Sequence, residues 1–199
     1  MSSVREPRAV AVYCGSNAGA DPAFAAAAAG LGTLLGRRGI RLVYGGGDVG
    51  LMGVLADAVR EDGGEVLGVI TRALVDREVA HPGLTNLTVV ETMHERKALM
   101  SDAAGAFIML PGGYGTFDEF FEAVTWTQLG IHAKPCGVLD VNGYFEPLRA
   151  LLDGAARQGF VSPVHRELVI IDDEPARLLD RLAAWTPVTT DKWLESSER

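Results

Sequence analysis

Short runs of apolar and β-branched residues alternate along the chain with longer segments in which apolar residues recur at helical spacing. This alternation is typical of successive βα units arranged around a parallel sheet. The predicted strands are RAVAVYCG, IRLVYGGG, EVLGVI, LTVVE, GAFIML, PCGVLD and ELVIID. GAFIML is apolar throughout, as expected of a strand that is covered on both faces of a parallel sheet. We therefore predict an α/β fold of the Rossmann-like, doubly wound kind, with helices on both faces of a mostly parallel sheet.

The helices are predicted between these strands, and the first of them has the clearest signals. Asp21 is a suitable N-cap residue, and Pro22 suits the first helical position. Helices are predicted over 21–37, 51–60, 93–103, 144–158 and 175–185, and another is expected after the glycines at 112–115. Residues 71–86 are predicted to be irregular. The pattern indicates one domain over residues 1–185 and a loosely held C-terminal tail over residues 186–199.

The composition limits the classes of protein to which the chain can belong. At 199 residues the chain is long enough for one well-buried domain. Its formal net charge of -8 at pH 7 disfavours a general surface for nucleic acid or for an anionic membrane. Cys14 and Cys136 stand apart and the histidines are scattered, so we expect reduced thiols, a cytoplasmic protein and no metal site. No apolar run approaches the length of a membrane span.

Three glycine-bearing segments follow predicted strands, at 14–19, 45–50 and 112–116. In open α/β sheets, ligands bind at the carboxyl ends of the strands, where loops lead into helix N-termini. Backbone amides at such a terminus bind phosphate, and glycine lets an anion approach them closely. The segments lack a Walker lysine, and GGGDVG, which matches G-x-G-x-x-G, lies in the second βα unit without an acid at the end of the next strand. We therefore favour a mononucleotide or phosphate over NAD, with glycines that only permit tight turns as the alternative.

Thr116 and Glu119 allow two interpretations. Their spacing is that of a capping box, which would give both residues a structural role only. Glu119 would otherwise be a catalytic carboxylate on the first turn of a helix, beside the glycines. In the preceding predicted helix, Arg96 and Lys97 lie in the first turns, where cations are electrostatically unfavourable. A guanidinium at the end of a strand suits a phosphate or a carboxylate, and an ordinary solvated charge pair is the alternative.

With these segments, the chain resembles the LOG (Lonely Guy) family of cytokinin riboside 5'-monophosphate phosphoribohydrolases. The family's Pro-Gly-Gly-x-Gly-Thr-x-x-Glu motif is present at 111–119, and its Met-His-x-Arg-Lys element is present at 93–97. Shorter matches are CGS, YGGG, GLMG, HPGL and TWTQLGIHAKP, so the resemblance covers nearly the whole chain except the tail. Asp118 is a departure, because close members of the family often have Glu at that position.

The resemblance also implies which residues form the site. Arg96 and Glu119 would be the catalytic pair. The implied substrate contacts are Glu78, Lys97, Gly113, Tyr114, Gly115, Thr116, Phe117, Asp118 and Thr125, to which the first two glycine segments add Gly15, Ser16 and Gly46. The family further implies a homodimer with its pocket near the subunit interface, and neither a metal nor an organic cofactor.

The implied chemistry is the hydrolysis of an N-glycosidic bond, which passes through a positively charged, oxocarbenium-like sugar. We assign the 5'-phosphate of the substrate to the amides of Gly113, Gly115 and Thr116. Glu119 would stabilise the charge on the sugar and orient the attacking water, and Arg96 would hold Glu119 in place. The expected substrates are cytokinin riboside 5'-monophosphates, which are N6-substituted AMP, and AMP itself. The expected products are the free base and ribose 5-phosphate.

Other functions stay open at this point. Similar Rossmann-like proteins carry molybdenum cofactor or nucleotides through comparable glycine loops without catalysing a reaction. Lysine decarboxylase is a label attached to sequences with this glycine motif, but that chemistry normally uses pyridoxal phosphate on a lysine. The chain has only Lys97, Lys134 and Lys192. For the hydrolase, Asp118 and Glu78 are the candidates for protonating the leaving base.

Overall fold

The sheet consists of seven parallel strands in the order β4-β3-β2-β1-β5-β6-β7. The structure, a computed structural model, describes residues 6–75, 77, 80–84 and 86–187, and the number of strands refers to these residues. The strands are β1 Ala9–Tyr13, β2 Arg41–Tyr44, β3 Val66–Thr71, β4 Leu87–Val90, β5 Ala106–Met109, β6 Cys136–Leu139 and β7 Val169–Asp172. Each lies within a predicted strand except β3, which extends one residue beyond EVLGVI to Thr71. The predicted doubly wound α/β fold is confirmed, and of the predicted tail only residues 186–187 are among those described.

Helices connect the strands and begin close to the predicted positions. They are α1 Pro22–Arg38, α2 Gly50–Glu61, α3 Arg72–Val75, α4 Met93–Ala103, α5 Tyr114–Gln128, α6 Glu146–Arg157, α7 Pro163–Arg166 and α8 Pro175–Ala184. The Asp21 side chain accepts a hydrogen bond of 2.9 Å from the Ala23 amide, which confirms the predicted start of α1. The short helices α3 and α7 were not predicted, and α3 lies in the segment that was expected to be irregular. Nowhere in the described ranges is a helix both long and apolar enough to cross a membrane.

Alternate residues of a strand pack against opposite layers of helices. In β1, Val10 and Val12 belong to the core that the sheet forms with α1, α2 and α8. Ala11 and Tyr13 belong to the core on the other face, which the sheet forms with α4 and α5. Burial on both faces explains why the strands are almost entirely apolar rather than alternating with polar residues.

The direction in which strands are added reverses beside β1. From β1 the chain adds β2, β3 and β4 toward one edge, and it then places β5 on the other side of β1. Val10 of β1 is in register with Ala106 of β5, and beyond the strands the Gly15 amide donates a 3.0 Å hydrogen bond to the Pro111 carbonyl. Doubly wound folds bind ligands at such a reversal, outside the carboxyl ends of the strands. The loops after β1 and β5 are therefore the place to look for a site.

The start of α5 decides between the two interpretations of Thr116 and Glu119. The helix begins at Tyr114, its N-cap is Gly113, and among the described residues no side chain caps it. The alternative prediction of a capping box at Thr116 and Glu119 is therefore wrong. Glu119 lies in the second turn of α5 and not in the first, because glycine is itself acceptable as an N-cap residue and lets the helix begin earlier.

Candidate active site

A cleft of about 350 Å³ opens where the sheet order reverses. Residues 14–19 after β1 form one side, and residues 111–116 after β5 form the other. The remaining lining side chains come from helices and loops around it and are Phe24, Leu51, Met52, Leu74, Arg96, Glu119 and Tyr144. The cleft thus combines two of the three predicted glycine segments with the two side chains that the resemblance assigns to catalysis.

Arg96 of α4 and Glu119 of α5 form an ion pair in the cleft. Arg96 Nη1 lies 3.1 Å from Glu119 Oε1, and the two side chains are only 9% and 12% exposed. A pair this well shielded from water interacts more strongly than a surface salt bridge, because less solvent screens the charges. The structure therefore brings together the two residues predicted as the catalytic pair, from helices that precede and follow the same strand.

The surroundings of Glu119 act on its ionisation in opposite directions. Burial raises the pKa of the carboxyl above its ordinary value, and the neighbouring Arg96 guanidinium lowers it by less. The pKa of Glu119 is therefore raised on balance. Perturbed carboxyl groups in clefts are frequent at catalytic sites, where the ionisation state sets what the group can do.

Three further contacts fix the Arg96 guanidinium. Its Nε donates to the Val69 carbonyl at 2.9 Å, and its Nη2 donates to the Gly45 carbonyl at 3.4 Å. Nη1 lies 3.4 Å from the sulfur of Met93, one turn earlier in α4. The two carbonyls stand in β3 and directly after β2, so the ends of neighbouring strands orient the arginine. No local sequence signal identifies these acceptors, because they meet Arg96 only through the strand order.

The glycines after β5 have different roles. A Cβ on Gly112 would overlap the Thr116 hydroxyl and lie 2.9 Å from the Gly15 amide nitrogen, so Gly112 permits close packing. At Gly113 and Gly115, apart from the adjacent residues and the backbone of α5, no described heavy atom lies within 4 Å of the position that a Cβ would take. These two glycines leave the start of α5 open to a ligand. The first amides of a helix have no partners within the helix, so they are available to an anion in the cleft.

The loop after β5 is also held from outside. Tyr144 lies after β6, and its hydroxyl donates a short hydrogen bond of 2.6 Å to the Gly112 carbonyl. The ring of Phe24 packs edge-on against Tyr144, with 5.5 Å between centroids. Tyr114 is by contrast 95% exposed at the mouth of the cleft. The sequence did not point to Tyr144, because its contact with Gly112 forms only when two loops about 30 residues apart in the chain meet in the fold.

The two earlier glycine segments contribute unequally to the cleft. Gly15 and Ser16 line it, as predicted. Gly46 lies outside the described lining residues: its carbonyl accepts a 3.1 Å hydrogen bond from the His81 amide, and a Cβ there would lie 3.2 Å from Ile70 Cβ. The structure therefore places Gly46 in packing against β3 and outside the described lining of the cleft.

Several implied substrate contacts lie outside the described lining of the cleft. Lys97 Nζ is 3.2 Å from Asp118 and 2.9 Å from Glu122, so this lysine links α4 to α5. The Thr125 hydroxyl donates to the Phe121 carbonyl within α5 at 2.7 Å. Phe117 packs against the core on the α4 and α5 face. Glu78 lies outside the described residues. The lining residues therefore include Tyr114 and Thr116 but not Lys97, Phe117, Asp118 or Thr125.

The structure also brings together three potential metal ligands that the sequence does not suggest. Donor atoms of Asp48, Asp57 and His81 lie within 4.8 Å of one another. His81 Nε2 is 3.2 Å from Asp57 and 3.4 Å from Asp48, and the Gly83 amide donates to His81 Nδ1 at 3.2 Å. Because Nδ1 accepts, Nε2 carries the ring proton and donates to the carboxylates. It has no lone pair to offer a metal, so the cluster fits a hydrogen-bonded link better than a metal site.

Comparison with known sequences shows close relatives over most of the chain. A family model described as "Possible lysine decarboxylase" matches residues 52–182. A protein of Oryza sativa subsp. japonica, named as a probable cytokinin riboside 5'-monophosphate phosphoribohydrolase, is 48% identical over 177 residues, which are 89% of this chain and 79% of the relative. Proteins with that enzyme name from Arabidopsis thaliana and Rhodococcoides fascians are 45% and 48% identical, covering 89% and 83% of this chain and 82% and 84% of their own.

Comparison with solved structures shows the same fold at low sequence identity. The molybdenum cofactor binding protein of Rippkaea orientalis matches with a TM-score of 0.68 and 20% identity, over 92% of this chain and 98% of that one. The Moco carrier protein of Chlamydomonas reinhardtii matches with a TM-score of 0.66 and 19% identity, over 90% and 99% of the two chains. At these identities the likeness concerns the architecture alone.

Proposed function

Because the chain belongs to the LOG family of cytokinin riboside 5'-monophosphate phosphoribohydrolases, we propose that it hydrolyses the N-glycosidic bond of nucleoside 5'-monophosphates. The proposed substrates are cytokinin riboside 5'-monophosphates and AMP. Water adds to C1' of the ribose, the bond from C1' to the base nitrogen breaks, and the base leaves with a proton. The products are the free base and ribose 5-phosphate.

The observation that carries this proposal is the position of the Arg96–Glu119 pair relative to the open start of α5. Glu119 follows the first helical residue by five positions, and at a rise of about 1.5 Å per residue this places it about 8 Å further along the axis. A nucleotide with its phosphate at the first amides therefore extends its sugar toward Glu119. The helix α5 can therefore bind the phosphate of a substrate with its first amides and place Glu119 beside the reacting carbon C1' of the same substrate.

The chemistry follows from the charge that develops on the sugar. As the bond to the base breaks, C1' and the ring oxygen gain positive charge. The ionised Glu119 carboxylate stabilises that charge and accepts a hydrogen bond from the attacking water. Arg96 favours the ionised form of Glu119 and holds its carboxylate in place, since the guanidinium is itself held by backbone carbonyls. Positioned groups of this kind act without reorganising during the reaction.

Product analysis over a panel of nucleotides tests the proposal. The purified protein is incubated with AMP, N6-isopentenyl-AMP and other nucleoside 5'-monophosphates, and free base and ribose 5-phosphate are quantified. Absence of both products with every nucleotide would contradict the proposal and favour a non-catalytic carrier.

Glu119→Gln separates catalysis from binding. We expect the substitution to lower kcat by about 100- to 10,000-fold, the range typical for loss of a positioned catalytic group. AMP binding, measured by calorimetry, should be largely kept because the phosphate site is formed by backbone amides. Glu122→Gln is the matched control, since Glu122 lies on the same helix, pairs with Lys97 and does not line the described part of the cleft. Equal loss of turnover and binding in Glu119→Gln would instead indicate a structural role.

The lysines do not fit the pyridoxal phosphate chemistry that a lysine decarboxylase would require. Lys97 is held by two carboxylates, and Lys134 donates to the Ser101 carbonyl at 2.7 Å. Neither belongs to the described residues that line the cleft, and Lys192 lies outside the described residues. A cofactor aldimine needs a lysine amine directed into the ligand site, so we do not extend the family model's description to this chain.

The proposal includes a homodimer in the cytoplasm. Family membership supports the dimer, together with the exposed apolar side chains Leu129, Ile131, Phe160 and Val164 near the end of α5 and around α7. The cysteines Cys14 and Cys136 are both unbonded to another sulfur, as in a reducing compartment. Light scattering after size-exclusion chromatography gives the mass directly, and a monomer at all working concentrations would contradict the dimer.

A further inference from the structure

The Arg96 guanidinium occupies space that exists only because residue 45 has no side chain. A Cβ on Gly45 would overlap Arg96 Nη2, lie 3.4 Å from Arg96 Cζ and lie 3.3 Å from the sulfur of Met52. Gly45 is not among the glycines with positive φ, so alanine suits its backbone conformation. Glycine is therefore required at this position for space and not for an unusual backbone shape.

Arg96 cannot give way without losing its place in the site. The residue is 7% exposed, and its guanidinium is held by the Val69 carbonyl at 2.9 Å and the Gly45 carbonyl at 3.4 Å. The same group lies 3.1 Å from Glu119. A displacement that relieves an overlap at Nη2 therefore stretches these contacts and moves the charge away from the carboxylate.

We propose that Gly45 is a positioning residue for the reaction, which holds the Arg96 guanidinium against Glu119 through its missing side chain and its carbonyl. This inference rests on the proposed hydrolase function. The overlap falls on the far end of a flexible side chain, whereas no backbone atom is crowded as closely. The cost of a side chain at residue 45 therefore appears in the geometry of the site more than in the fold.

Gly45→Ala tests the proposal. We expect kcat to fall by about 100-fold, because a misplacement of about 1 Å in a catalytic group has an effect of that order. The KM for AMP should change much less, since the proposed phosphate site lies at the start of α5. The variant should keep its secondary structure by circular dichroism.

The pH profile of Gly45→Ala distinguishes a misplaced Arg96 from a general loss of stability, because a general loss of stability would not shift the acid limb of kcat/KM. Arg96 favours the ionised form of Glu119, so moving Arg96 away makes the carboxyl harder to ionise. The acid limb of kcat/KM should shift to higher pH by about one unit, which is the low end of the effect of a close opposite charge. The other charged groups that act on Glu119 are Lys97, Asp118 and Glu122, and the variant leaves them in place.

Gly83→Ala is the matched control. A Cβ on Gly83 would lie 2.6 Å from Nη1 of Arg60, so this substitution also displaces a guanidinium. Arg60 pairs with Asp57, and neither of them lines the cleft among the described residues. We expect kcat and the acid limb of Gly83→Ala to equal those of the wild type.

The double variant Gly45→Ala/Arg96→Ala completes the test. It also provides a result if Gly45→Ala is too unstable to assay. Removing the overlapping guanidinium should return the melting temperature to that of Arg96→Ala, and the residual activity should equal that of Arg96→Ala. A double variant clearly less stable than Arg96→Ala would overturn the inference. So would wild-type kcat and an unshifted acid limb in Gly45→Ala. A wild-type protein that releases no base would instead overturn the proposed function.

Discussion

At the scale of single residues, Glu119 links the environment of the cleft to a measurable pH dependence. Burial raises the pKa of its carboxyl, and Arg96 only partly opposes this. The proposed mechanism needs the ionised carboxylate, which is lost as the pH falls through this raised pKa. The acid limb of kcat/KM should therefore lie above about 4.3, the pKa of an unperturbed glutamate.

Initial rates with AMP between about pH 4 and pH 9 check this expectation over the range in which carboxyl and imidazole groups titrate. The charge of Glu122 contributes to the raised pKa of Glu119, so Glu122→Gln should move the limb slightly to lower pH. An acid limb at or below the ordinary carboxyl range would contradict either the ionised role of Glu119 or its burial.

The hydroxyls of Tyr44 and Tyr144 differ in whether they have a hydrogen-bond partner. Substitution by Phe should therefore change the free energy of unfolding in opposite directions at the two positions. The Tyr44 hydroxyl is buried and finds no hydrogen-bond partner among the described residues, whereas the Tyr144 hydroxyl donates to Gly112. An unsatisfied buried polar group costs about 1–3 kcal/mol. Tyr44→Phe should therefore raise the free energy of unfolding by about 1 kcal/mol.

Tyr144→Phe should instead lower the free energy of unfolding by about 1 kcal/mol, the net worth of an ordinary hydrogen bond. Its KM for AMP should also rise, because the loop that forms the phosphate site loses its support. Urea titrations of the two variants and the wild type compare them directly. Destabilisation by Tyr44→Phe would show that its hydroxyl is satisfied in solution.

The sequence was informative about residues whose chemistry is set by a local motif, and less so about residues whose partners come from elsewhere. The family resemblance, which rests on dense motifs beside strand ends, pointed to Arg96 and Glu119, and the structure brings both into the cleft. Lys97 belongs to the same motif as Arg96, yet it pairs with carboxylates of α5 and not with the cleft. Arg96 and Lys97 are neighbours on α4, and the packing of α4 against α5 decides which of them faces the cleft. The spacing of the motif does not show this packing.

At the scale of elements, helix starts show a similar limit. At the starts of α4 and α5 the spacing S/T-x-x-E is present at Thr92 and at Thr116, and only the first forms a capping box. There the Thr92 hydroxyl accepts from the Glu95 amide at 3.1 Å, and Glu95 accepts from the Thr92 amide at 3.1 Å. The second fails because the glycines before Thr116 allow α5 to begin earlier. The positions of the strands and of the longer helices were otherwise predictable, since burial on both faces and apolar periodicity are local properties of the sequence.

The link between α4 and α5 gives a prediction about stability without a change in substrate binding. Lys97 is 12% exposed and contacts both Asp118 and Glu122, so Lys97→Met leaves the half-buried Glu122 without its cation. We expect the free energy of unfolding to fall by about 1.5 kcal/mol, the low end of the range for a hydrogen bond to a charged group.

AMP affinity of Lys97→Met, measured by calorimetry, should stay at the wild-type value because Lys97 does not line the described part of the cleft. Arg72→Met is the control for stability, since the Arg72–Glu91 pair is 67% and 68% exposed and such pairs contribute little. A large loss of AMP affinity in Lys97→Met, with unchanged stability, would restore the substrate contact that the family resemblance implies.

At the scale of the whole molecule, the cleft is a consequence of strand order. Residues 14–19 and 111–116 are almost a hundred positions apart, and they meet because β1 and β5 are neighbours at the reversal of the sheet. The sequence indicated a doubly wound sheet, and such sheets place ligands at the reversal. The sequence did not indicate that Gly46, in the second glycine segment, would pack against β3 and not line the cleft. A site assembled from distant segments makes ligand binding a property of the folded molecule.

This assembly predicts how a nucleotide changes global stability. Glu119→Gln allows the measurement without turnover, and AMP at a hundred times its Kd should raise the free energy of unfolding by about 2.7 kcal/mol. Adenosine at the same concentration should have a much smaller effect, because it lacks the phosphate that the amides at the start of α5 bind. Hydrogen exchange should slow at the amides of Tyr114 to Thr116 with AMP and not with adenosine. Equal stabilisation by the two ligands would mean that the anion is not held at α5, and the proposed alignment of the sugar with Glu119 would then lose its physical basis.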